Sequence, residues 1–129
     1  MNFFGSMTKL EAVNVSPLVL AYVGDAVHSL IVREQLVHQH DFKAGRMHQL
    51  ASSQVNAHSQ SEMAERLLPL LTEEEHDVFM RGRNAKNHHV AKNQTLADYR
   101  MATGMEAVIG YLYLIGESDR IIQLLGELQ

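Results

Sequence analysis

From residue 16 onward the apolar residues of this chain recur at helical spacing, strand-like alternation is scarce, and only two prolines interrupt the pattern. A chain patterned in this way packs helix on helix, so the predicted fold class is all-α. The boundaries follow from capping chemistry. Ser16-Pro17 sets an N-cap before a proline at the first helical position and opens a helix running to about Val37. HQHDF at 38–42 is a connector. A long helical stretch follows from about Lys43 to Leu68, polar enough to break in its middle, with Pro69 at its end. Thr72 with Glu75 three residues on forms a capping box, and its helix ends near Arg83. Residues 83–94 have no periodicity and form a polar, basic loop. Thr95 with Asp98 starts the next helix, Gly116 ends it, and Ser118-Asp119 caps a short last one. With no repeat or linker, the expectation is one domain of five to seven helices over 16–129, preceded by an extension, 1–15.

The first long helix carries an apolar stripe of Leu20, Val23, Val27, Leu30 and Ile31. Away from that stripe stands Asp25, directly after the helix-weakening Gly24 and beside Ala21, Tyr22, His28 and Ser29. An unpaired carboxylate is costly to bury, so Asp25 calls for a partner or a metal. The later helix holds a matching oddity. Glu106 precedes a long apolar run, with Thr103 and Gly110 on its own face and Met105, Val108, Ile109, Leu112 and Ile115 on the buried side. Small residues let helices approach closely, and close approach would bring the two acids together. Two carboxylates at one site repel unless a proton or cation lies between them, and an oxygen-donor pair suits Mg²⁺ or Mn²⁺ completed by water. The competing reading leaves each acid at a solvated helix edge or paired with an arginine. Residues 107–115 are also more apolar than one small domain needs to bury within itself, which points to a second copy.

The formal net charge of −4 argues against indiscriminate coating of nucleic acid. Yet five of the 11 Lys and Arg residues, Arg81, Arg83, Lys86, Lys92 and Arg100, fall within a short stretch. Such asymmetry marks either a phosphate-binding surface or a solvated loop. With no cysteine, disulfides and thiolate metal sites are excluded and a reducing compartment is compatible. The apolar runs 18–23 and 107–115 fall well short of the ~20 residues that span a bilayer, so no membrane role is expected. His88-His89 lacks the companion ligands of a zinc site, and His76-Asp77 sits on an acidic helix without an evident partner set.

GDAV at 24–27 and EAVIGYLYL at 106–114, with RGRNAK at 81–86 between them and YRMATGMEAVIGYLYL at 99–114, resemble the ribonuclease III catalytic-domain family. They are closest to its Mini-ribonuclease III branch, which lacks a double-stranded-RNA-binding domain. The resemblance runs from Ser16 to the C-terminus. It implies a ribonuclease III-like helical domain that forms a homodimer in the cytoplasm and hydrolyses double-stranded RNA with Mg²⁺, for which Mn²⁺ substitutes. Large-subunit (23S) ribosomal RNA precursor is the implied substrate. By matching positions, Asp25 and Glu106 inherit the catalytic and metal-binding roles, and Arg81, Arg83, Asn84, Lys86, Lys92 and Arg100 are the candidate RNA-binding residues. The full-length enzymes usually carry two further acids where this chain has Ala21 and Thr103, and Asp98 is a candidate outer-shell replacement beside its helix-capping role. Two rivals remain at this level: a helical RNA-binding or assembly module without activity, and a nucleotide phosphohydrolase built on His76-Asp77.

Overall fold

In a computed structural model, residues 2–39, 43–55, 57–86 and 95–126 are described. They form seven α-helices and no strand: α1 (Lys9–Val13), α2 (Pro17–Gln39), α3 (Ala44–Val55), α4 (Ala57–Leu67), α5 (Glu73–Arg83), α6 (Leu96–Leu114) and α7 (Ser118–Gly126). A 3₁₀ turn, Leu68–Leu70, carries Pro69 between α4 and α5. The caps expected at Thr72 and Thr95 are in place, whereas Ser118, expected to cap the last helix, is its first residue. Thr72 accepts from the Glu75 amide at 3.2 Å while Glu75 accepts from the Thr72 amide at 2.9 Å. Thr95 accepts from the Asp98 amide at 3.0 Å. The long polar stretch divides into α3 and α4, as its composition allows. None of the helices among the described residues is long and apolar enough to cross a membrane.

Helix α6 is the central element, and α2, α4 and α5 pack around it. Its residues Ala107, Val108, Ile109, Tyr111 and Leu112 are all buried within the chain itself. The surplus apolar surface expected at 107–115 is therefore spent on the domain's own core, because α6 is wrapped on several sides. The unspent surface lies on α2 instead, where Val19, Tyr22 and Leu30 remain exposed. Leu30, expected in the buried stripe, is 64% exposed, while Ala21 and His28 are buried.

The physical reason is the helix contact itself. A side chain at Gly24 would overlap the Glu106 carbonyl, and one at Gly110 would overlap the Leu20 carbonyl. The α2 and α6 backbones touch there, and that contact fixes the rotation of α2. A second close crossing joins α5 to α6, where Gly82 lies against Gly104 and Ala107, and Gly104 against Phe79. The residues set apart as an extension reach into the same core. Ala12 of α1 is fully buried, and Asn2 and Met7 donate to the Tyr113 and Leu114 carbonyls at the end of α6, each at 2.7 Å.

Candidate active site

The glycine contact between α2 and α6 sets Asp25 beside Glu106. The two expected residues, eighty-one positions apart in sequence, share one site. Their surroundings differ. Asp25 is exposed at the edge of a groove of about 620 Å³ that runs along α2 and α7 past Tyr22, Leu30 and Ile122. Glu106 is only partly exposed. Burial first, then the charge of Asp25 and a hydrogen bond between the two carboxyls, push its carboxyl up to about 8. The desolvation problem that the sequence assigns to Asp25 thus falls on Glu106, because the rotation fixed at Gly24 turns Asp25 outward.

One turn beyond Asp25 lies a residue that the sequence places beside it but gives no role. His28 is 5% exposed, with Nδ1 3.4 Å from Nε2 of Gln60 on α4, itself buried. Burial holds the imidazole below its usual range, against the opposing pull of Asp25. A signal was present: His28 stands four residues after Gly24, hence on the face that touches α6. The positions of the two missing acids are buried. Ala21 is 7% exposed, and Thr103 turns its hydroxyl back to the Tyr99 carbonyl at 2.8 Å. Asp98 is engaged elsewhere, accepting from Ser61 and lying 3.4 Å from Nδ1 of His58. These contacts hold its carboxyl below the usual range.

The Gly82–Gly104 crossing brings the last turn of α5 against the turn of α6 that carries Glu106. Arg81 and Arg83 belong to that helical turn, and Asn84 is its C-cap, bonded to the Met80 carbonyl at 2.9 Å and accepting from Arg83 at 3.2 Å. These three, Lys86 and Arg100 are exposed. Lys92 and His88-His89 lie outside the described residues. His76 and Asp77 face solvent, His76 tilted against Phe79, and no group of three or more metal-ligating side chains occurs among the described residues.

The site thus sets two acids on crossing helices of an all-α domain beside a basic turn. Residues 18–117 match the ribonuclease III domain model. Mini-ribonuclease 3 of Thermoanaerobacter sp. (strain X514) is 43% identical over 119 residues, covering 92% of this chain and 84% of the relative. That of Brevibacillus brevis is 46% identical over 109 residues, covering 84% and 81%. A crystal structure of a Fusobacterium nucleatum protein superposes with a TM-score of 0.81 at 28% identity, covering 89% of this chain and 92% of that one. The chain belongs to the ribonuclease III family, in its Mini-ribonuclease 3 branch, and is an endonuclease of the ribonuclease III type.

Proposed function

We propose that the chain cuts double-stranded RNA as a two-fold homodimer, with a divalent cation held by Asp25 and Glu106, and that it works in the cytoplasm on large-subunit ribosomal RNA precursor. The observation that carries the reading is the α2–α6 backbone contact at Gly24 and Gly110, which sets the Asp25 and Glu106 carboxyls side by side. Two carboxyls held this close repel unless a proton or a cation lies between them. The donors fit a hard cation, since Mg²⁺ is commonly held by one or two carboxylates with waters completing its shell.

When bound, the cation supplies polarisation of the scissile phosphate, hydroxide from its own water and stabilisation of the leaving oxygen. The residues of the chain prepare the site. Glu106 and Asp25 would hold the cation through their carboxylate oxygens, which requires Glu106 in its ionised form. His28, buried and neutral against Gln60, adds no positive charge to compete. Arg81, Arg83, Asn84, Lys86, Lys92 and Arg100 hold the duplex backbone, which suits recognition by A-form shape and phosphates rather than base edges. Val19, Tyr22, Ala26 and Leu30 fall at coiled-coil-like intervals on the outer face of α2 and form the dimer surface. Two antiparallel strands then meet two symmetric sites.

The test is cleavage of a long RNA duplex with Mg²⁺ against EDTA, by wild type, Asp25→Asn and Glu106→Gln. Both variants are expected to fold and to lose activity by orders of magnitude. Near-normal activity of either under saturating Mg²⁺ would remove that residue from the site. Binding without cleavage by the wild type would favour an assembly module, and hydrolysis of free nucleotides alone would favour the phosphohydrolase.

A further inference from the structure

The residues ahead of α1 form a strap across the C-terminal end of α6. At one end Asn2 donates from Nδ2 to the Tyr113 carbonyl at 2.7 Å and to the Leu114 carbonyl at 3.3 Å. At the other end the Met7 amide donates to the Leu114 carbonyl at 2.7 Å. Ser6 lies over Gly116, where a side chain would meet its hydroxyl. The last carbonyls of a helix run out of partners within it, so the strap acts as a cap on α6. Between these two pins the chain turns at Phe3-Phe4, and Gly5 takes a φ of 87°, in the left-handed region that favours glycine. The turn holds both phenylalanines almost wholly exposed.

Within one protomer this arrangement is poorly compensated. Asn2 buries its Oδ1 without a hydrogen-bond partner among the described residues. An acceptor stranded in that way costs at least as much as a made hydrogen bond contributes. A loose segment would let its two rings settle on the nearest apolar surface, whereas a pinned turn keeps them in water. A fixed display of this kind serves contact with another molecule, because the ordering entropy is spent before the partner arrives. The position of the turn names the partner. Phe3 lines the groove that runs along α2 and α7 past Asp25, with Tyr22, Leu30 and Ile122. Tyr113, whose carbonyl the strap caps, lines the same groove. The turn is therefore continuous with the outer stripe of α2.

We infer that the strap is an arm of the homodimer: Phe3 and Phe4 of each copy are buried against α2 and α7 of a second copy, an inference that rests on the homodimer reading. A two-fold contact uses the same patch on both copies. A pinned turn on the rim of that patch then meets the partner's patch, and the two arms close over the grooves in which the Asp25 carboxylates stand. A nucleic acid is a poorer occupant, because residues 2–7 carry no charge and offer nothing to phosphates.

The chain contains no tryptophan, so Phe3→Trp sets a single fluorescent reporter on the turn. Its emission is expected to move to shorter wavelength as the protein passes from monomer to dimer in a concentration series followed in parallel by sedimentation. In a Tyr22→Asp/Leu30→Glu background, where the dimer is lost, the emission is expected to stay that of an exposed indole at every concentration. Phe3→Ser/Phe4→Ser is expected to raise the dimer dissociation constant at least about a hundredfold, since large apolar groups leave both sides of a symmetric contact. Its helical content is expected to be unchanged, because neither ring belongs to the core. A dimer as tight as wild type in that variant, or an emission that stays exposed while the protein dimerises, would overturn the inference and leave the homodimer standing. A wild type that stays monomeric would overturn both. A shift produced by RNA duplex or by lipid vesicles, and not by dimerisation, would give the turn to that partner and equally overturn the inference.

Discussion

Glu106 makes the sharpest single-residue expectation. Its carboxyl is held at about 8, against an ordinary value near 4.5. The folded state therefore binds a proton more tightly than the unfolded chain, and the stabilisation is complete only below the unfolded value. As pH rises from about 4.5 through 8, the metal-free protein should lose stability. Glu106→Gln should flatten that slope, read as melting temperature against pH in EDTA. Divalent cation should restore more stability near pH 8 than near pH 5, because it takes the place of the lost proton. A Glu106→Gln profile parallel to wild type would show that another group carries the slope. Asp25 and Glu106 were both legible in the sequence as acids out of place among apolar and small residues. Which of them is desolvated was not, because burial depends on helix rotation, and a contact between two glycines leaves no hydrophobic signature. His28 and Gln60 were missed for the same reason: a polar residue becomes a core residue only once the neighbouring helix is placed.

At the scale of elements, two glycine crossings do most of the positioning. At Gly24 an added methyl would meet the Glu106 backbone, which cannot swing aside as a flexible side chain could. Gly24→Ala should therefore cost at least about 3 kcal/mol in urea unfolding, the upper end of the usual overpacking range. It should also reduce cleavage, since separating α2 from α6 separates Asp25 from Glu106. Gly45→Ala on α3, where nothing lies within 4 Å, serves as the control and should be neutral or stabilising by up to ~1 kcal/mol. The α5–α6 crossing makes a second expectation. Arg83 and Lys86, exposed at the end of α5, should contact phosphates, so neutralising both should flatten the dependence of log affinity on log salt by up to ~2 units for any duplex, with folding unaffected. An unchanged slope would reduce this turn to a solvated surface. The helix boundaries themselves could be read in advance, since Thr72, Thr95 and Pro17 act within one turn of chain. Pairs such as Arg120–Glu75 and Lys9–Glu74 could not, because they join elements far apart in sequence.

For the whole molecule, the distribution of apolar surface decides where a second copy could dock. The sequence pointed to α6 as the greasy surface left for a partner, yet α6 is consumed as the central helix. Among the apolar side chains left outside are those of the second stripe of α2, with Val19 49%, Tyr22 79% and Leu30 64% exposed, flanked by Phe3 at 90% and Ile122 at 56%. Asp25 lies on the border of that surface, along the same groove. A two-fold axis through the stripe would bury it against its own copy and set the two carboxylate pairs at related positions. Each large apolar side chain removed from water contributes ~1.5–3 kcal/mol, and a symmetric contact counts each residue twice. Tyr22→Asp/Leu30→Glu removes four such groups from the dimer but none from the core. The variant should therefore keep its helical content and melt close to the point at which isolated wild-type protomers melt. In sedimentation it should run as a 14.5 kDa species at concentrations where wild type runs at twice that mass. Its dissociation constant should rise by at least about a thousandfold. Cleavage should fall with dimer occupancy, and nicked duplexes should accumulate ahead of double-strand cuts, because a lone protomer offers one site to two strands. A wild-type monomer at micromolar concentration, or a variant dimer as tight as wild type, would place the interface elsewhere.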